Sequence, residues 1–98
     1  MIEDDILKLI QGEDKKNPLT DNDIARMVNT TREYITEFRK RNNLPNSRRR
    51  REEILFDDIK KIIKDNTNIS DNLLCKKLSM IGYKISRFSV TQIRKQLI

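Results

Sequence analysis

Histidine is absent from this 98-residue chain, and Cys75 is its only thiol. Those side chains are the usual zinc and copper ligands, so most metal sites are excluded, and Ser/His and Cys/His nucleophile pairs with them. A lone cysteine cannot close an internal disulfide, and no signal-like apolar segment opens the chain. Both points lead to the expectation of a reducing, cytoplasmic setting. No apolar run approaches the ~18 residues of a spanning helix, so no membrane partner is expected. The carboxylate pairs Asp4-Asp5 and Asp57-Asp58 have no apolar surroundings in the sequence that would raise a pKa, and they read as solvated helix faces. An enzyme is therefore not expected, nor a cofactor, nor a small-molecule ligand. Glycine and proline number two each, and few β-branched runs alternate with period two, which weakens an all-β reading. Aromatic residues are only 5%, too few to suggest stacking platforms for single-stranded RNA or DNA.

What is present is charge. Apolar residues make up 36% and charged residues 37%, so the core must be thin and shared among amphipathic helices. The net charge of +6 is unevenly spread. Residues 1–31 carry −3, residues 32–51 carry +6, and residues 52–98 carry +3. A basic stretch beside an acidic remainder is the footprint of contact with a polyanion.

Helical spacing of Ile2, Ile6, Leu9 and Ile10 predicts a first helix over residues 2–11, ended by Gly12. Thr20 can cap a second helix running to about Val28, with Asp21 and Asp23 at the favoured end of its dipole. Asn29 tolerates the left-handed turn of a tight corner. Thr30 or Thr31 can cap a third helix reaching about Asn42, with Ile35 and Phe38 inward. Residues 46–51 read as an arginine-rich hinge, and a fourth helix is expected over residues 52–65. Then Ile69-Ser70-Asp71-Asn72 echoes Leu19-Thr20-Asp21-Asn22 at an offset of fifty, which marks an internal repeat. The second copy has a longer corner, residues 79–85 with Gly82, and a last helix capped by Ser86 with Val90, Ile93 and Leu97 inward. Cys75, at the position of Ala25, reads as a small core residue.

The expected fold is therefore all-α: two tandem three-helix helix-turn-helix units, residues 1–46 and 52–98, joined by a basic hinge over residues 47–51. In such a unit the second helix of the pair enters the major groove, and residues just after its cap reach base edges. Here those are Arg32, Glu33 and Thr36 in the first copy, and Arg87, Phe88, Thr91 and Gln92 in the second. Arg can bond both acceptors of guanine, Gln pairs with adenine, and Thr or Phe can lie against a thymine methyl. Thr31, Arg39, Lys40, Arg41, Arg48, Arg49, Arg50, Arg51, Ser86 and Lys95 are expected on phosphates, positioning the module without specifying sequence.

The segment Arg32-Glu33-Tyr34-Ile35-Thr36-Glu37-Phe38-Arg39 resembles the DNA-binding box of the bacterial sigma-54 factor, as does Arg87-Phe88-Ser89-Val90-Thr91-Gln92-Ile93-Arg94. Glu33 and Phe88 stand where that family has a second Arg, and the first copy's corner is about five residues shorter. The resemblance implies double-stranded DNA as the partner and transcription regulation as the role. The factor itself ends shortly after its box, whereas a second unit follows here, so the resemblance favours the DNA-binding region of a sigma-54-dependent transcriptional regulator. The alternatives are the promoter-binding terminal domain of a sigma-54 factor, or a helical protein-interaction module docking on a polymerase subunit, which an exposed Phe88 would favour. The chain stops abruptly for a third helix, so further sequence beyond Ile98 is expected, through which RNA polymerase or the sigma-54 machinery could be engaged.

Overall fold

The computed structural model describes residues 1–97; Ile98, the last residue of the expected second unit, lies outside them. The described residues form six α-helices and no strand, in keeping with the all-α expectation. They are α1 (Ile2–Gly12), α2 (Asp21–Met27), α3 (Arg32–Arg41), α4 (Ser47–Asp65), α5 (Asp71–Met80) and α6 (Arg87–Leu97). None is long and apolar enough to cross a membrane. The chain divides into two compact units, the first Met1–Arg51 and the second from Glu52 onward.

In the first unit, Ile6 and Ile10 of α1 meet Ile24 and Ala25 of α2 and Ile35 and Phe38 of α3 in one buried cluster. The spacing of four on α1 and three on α3 puts each pair on a single helical face. Full burial of a side chain the size of Ile or Phe contributes roughly 1.5–3 kcal/mol relative to exposure. In the second unit Leu55 and Ile59 of α4, Leu74 and Leu78 of α5 and Val90 of α6 form the equivalent cluster, together with Ile69 just ahead of α5 and Tyr83 in the corner between α5 and α6. Ile93, Leu97 and Cys75 pack against it only partly buried. Asp58, expected on a solvated face, is half-buried and accepts the hydrogen bond of the Tyr83 hydroxyl, whose ring is 2% exposed. A buried phenol needs such a partner, which the sequence pattern alone could not locate.

Helix ends follow the local chemistry closely. Thr20 and Asp23 form a reciprocal capping box at the start of α2. Thr31 caps α3 by accepting from the Tyr34 amide, Ser70 caps α5, and the Ser89 amide donates to the Ser86 hydroxyl at the start of α6. Three helices stop in the same way: Asn29, Asn43 and Gly82 take positive φ, and the next amide reaches back five residues, Thr30 to Ala25, Leu44 to Arg39 and Tyr83 to Leu78.

Two expected boundaries are corrected. Residues 47–51 are not a hinge but the first turns of α4, because the Asn46 side chain accepts from the Arg49 amide and no Gly or Pro interrupts the run. The last helix of the repeat is displaced from its counterpart by five residues, but α5 continues to Met80, so the corner is not residues 79–85. Three of the extra residues lengthen the helix relative to α2 and two lengthen the corner.

Candidate nucleic-acid interface

In each unit an aspartate at the first position of the shorter helix holds the following helix in place. In the first unit the Asp21 carboxylate receives Nε and Nη2 of Arg39, each at 2.8 Å, and the Thr36 hydroxyl at 2.8 Å. Arg39 also donates to the Leu44 carbonyl at 3.1 Å, which ties the end of α3 to the same cluster. In the second unit Asp71 receives the Thr91 hydroxyl at 2.7 Å and Nη1 of Arg94 at 3.1 Å, and Arg94 also donates to the Ile69 carbonyl. The aspartates are fifty residues apart and the Thr–Arg pairs fifty-five, so the clamp repeats in register with the helices.

The two clamps differ in depth. The side chains of Arg39 and Asp21 are 11% and 13% exposed, those of Arg94 and Asp71 20% and 33%. Burial pushes the Asp21 carboxyl up, but hydrogen bonds from Arg39 and Thr36, aided by the charges of Arg39 and Arg50, more than offset it and leave the group below its ordinary value. The hydrogen bond to Asp21 raises Arg39 in turn. Asp71 is lowered by the hydrogen bonds of Thr91 and then Arg94. These clamps stay charged at neutral pH, and they fix which face of α3 and α6 points outward.

Of the residues expected to reach bases, Arg32 and Glu33 are exposed at the start of α3, and Arg87, Phe88 and Gln92 on α6. Phe88 is 72% exposed. Thr36 and Thr91 are corrected: they are only partly accessible, and their hydroxyls are committed to the aspartates, with the Arg32 and Arg87 carbonyls also close. Their place on the outer face goes to the following residue, Glu37 and Gln92. Glu37 was not anticipated, although the repeat aligns it with Gln92. Arg32, Glu33, Thr36, Glu37, Lys40 and Arg41 line one shallow concavity along α3.

The expected phosphate contacts separate into two kinds. Lys40, Arg41, Arg48, Arg49 and Lys95 are exposed, and Arg48 shares a second groove with Arg32, lined also by the starts of α2 and α4. Thr31 and Ser86 are exposed but serve as helix caps. Arg51 is half-buried. Arg39 belongs to the clamp. Arg50 is also corrected, its side chain being 8% exposed. It donates to both oxygens of Glu13, at 2.7 and 2.9 Å, and to the Leu19 and Pro45 carbonyls. The Glu13 side chain is fully buried and also accepts from the Leu19 amide. Asp21, Asp71, Arg94 and Glu13 thus set the geometry, and sequence reasoning gave none of them that role. Among the described residues no cluster of His, Cys, Asp and Glu could hold a metal ion.

A capped helix offering guanidinium, carboxylate and ammonium groups on one exposed face can form hydrogen bonds to base edges and ion pairs with phosphates. A family model described as Sigma-54, DNA binding domain, matches residues 1–52, just over half of the chain. The match takes in α1 to α3 and the arginine tract, while α5 and α6 lie outside it. No curated protein and no solved structure matches the chain.

Proposed function

This chain belongs to the sigma-54 DNA-binding domain family, and from that premise we propose that it binds duplex DNA sequence-specifically as the DNA-binding region of a sigma-54-dependent transcriptional regulator. DNA binding in a sigma-54 setting comes with the family; specificity and the regulator role are the proposal. The observation that carries it is the outer face of α3, where Arg32, Glu33, Glu37, Lys40 and Arg41 stand exposed in one row while Thr36 and Arg39 are held back by Asp21. That face combines groups able to discriminate bases with cations able to hold the phosphate rails. A second compact unit following the matched segment supports the regulator over the factor itself. The module works by binding and not by catalysis.

Selection of bound duplexes from a random pool, followed by anisotropy titration at moderate salt, tests the proposal. A recovered motif whose affinity exceeds that for random duplex by a thousandfold or more is expected. Equal affinity for all duplexes would defeat it.

The 72% exposure of Phe88 favours a second reading, in which α6 docks on a polymerase subunit. Under that reading Phe88→Ala abolishes capture of the core polymerase and leaves DNA affinity unchanged. Under the DNA reading the same substitution weakens the preferred duplex and leaves polymerase capture as it was.

A further inference from the structure

With the family-matched first unit taken to read duplex DNA, the second unit can be compared with it residue by residue. At an offset of fifty-five, α3 and α6 pair Arg32 with Arg87, Thr36 with Thr91, Arg39 with Arg94 and Lys40 with Lys95. The identical residues are thus the clamp and two cations that flank the exposed face. Facing outward, the two helices diverge. Glu33 is replaced by Phe88 and Glu37 by Gln92, and all four are exposed. Neither Glu33 nor Glu37 takes a hydrogen bond or ion pair from any described residue, although Arg32, Lys40 and Arg41 line the same surface. Their acceptor oxygens are therefore available to a ligand.

We infer that the second unit is also a reading unit, and that positions 33 and 37 in the first and 88 and 92 in the second make the two units choose different bases. The chemistry of each pair sets the choice. A carboxylate has only acceptors, so Glu33 and Glu37 match the N4 amino donor of cytosine. The amide of Gln92 offers a donor and an acceptor together and matches N6 and N7 of adenine. The Phe88 ring offers neither and fits the thymine methyl. Arg32 and Arg87, common to both, add a guanine contact to each. The first half-site is thus rich in G·C pairs, and the second combines a G·C pair with A·T pairs. The clamps make the difference transferable, because they hold α3 and α6 by the same three side chains and leave the diverging positions at the surface.

Selection from a random duplex pool with the full chain tests this. The wild-type chain is expected to yield two dissimilar half-motifs. In Glu33→Phe/Glu37→Gln the first half-motif shifts to A·T pairs, affinity for the original half-site falls about tenfold or more, and the second half-motif is unchanged. Phe88→Glu/Gln92→Glu gives the reciprocal result. The single changes Glu37→Gln and Gln92→Glu, nearly isosteric at exposed positions, shift one base each and stand in for a double variant whose circular dichroism shows misfolding. A wild-type motif confined to one half, indifferent to substitutions in α6, overturns the inference while leaving sequence-specific binding intact. So does a first half-motif that survives Glu33→Phe/Glu37→Gln. No motif at all from the wild-type chain refutes the underlying DNA-reading function.

Discussion

Among the arginines between positions 32 and 51, burial and not charge decides the role. Arg50 faces a Glu13 carboxylate with no access to solvent, so Arg50→Ala leaves a buried charge without its cation. The expected loss is about 3–5 kcal/mol, read from urea unfolding. Arg49→Ala, one residue away and exposed, should change the unfolding free energy by less than about 0.5 kcal/mol. Equal losses from the two would contradict the assignment. The clamp aspartate adds a pH dependence. Asp21 lies below its ordinary value in the folded state, so its contribution is fully present above the unfolded value near 4 and fades as the pH falls below that. The acid arm of the stability curve should therefore flatten in Asp21→Asn, which also costs about 2–3 kcal/mol at neutral pH by removing a charged acceptor from Arg39. Asp71→Asn should have the smaller effect, because its pair is more exposed and makes one contact to the guanidinium where Asp21 makes two. An acid arm unchanged in Asp21→Asn would show that other carboxylates set it.

At the scale of the helix, what the sequence disclosed was whatever side chains announce locally. Thr20, Thr31, Ser70 and Ser86 are short polar residues just ahead of an apolar stripe, and each caps a helix. Asn29 signalled a left-handed corner by its type, and its φ of 58° agrees. The start of α4 was missed because four consecutive arginines suggest a solvated linker, whereas the cap at Asn46 and the Glu13–Arg50 pair are respectively subtle and remote in sequence. The end of α5 was misplaced because Ser79 resembles a turn residue, although the turn closes only at Gly82. Gly82 adopts φ 108°, a conformation L side chains seldom take, so Gly82→Ala should destabilise the second unit by about 1 kcal/mol or more. Asn29→Gly should be neutral within a few tenths of a kcal/mol, since glycine adopts the same turn without strain. Thermal melts of the two variants decide the point, and a neutral Gly82→Ala would mean that the corner relaxes into another turn.

For the molecule as a whole, the site was legible as a charge distribution but not as a division of labour. The +6 carried by residues 32–51 was plain in the chain. That two of those eight cations are turned inward depended on Asp21 and Glu13, partners 18 and 37 residues away that no periodicity could reveal. The consequence is quantitative. With Arg39 and Arg50 removed from the phosphate set, the exposed cations expected on phosphate are Lys40, Arg41, Arg48, Arg49 and Lys95. If each neutralises one phosphate, log K should fall against log salt with a slope of about −4 to −5. Arg48→Ala and Arg49→Ala should each flatten that slope by about 1, and should weaken preferred and random duplexes by the same factor, because a phosphate contact carries no base information. Substitutions at Glu37 or Gln92 should do the opposite, changing the ratio between the two duplexes and leaving the slope in place. Titrations at four or five salt concentrations, with both duplexes and all four variants, separate the classes. A shift in sequence preference from Arg48→Ala would put that residue on a base edge and redraw the boundary between gripping and reading.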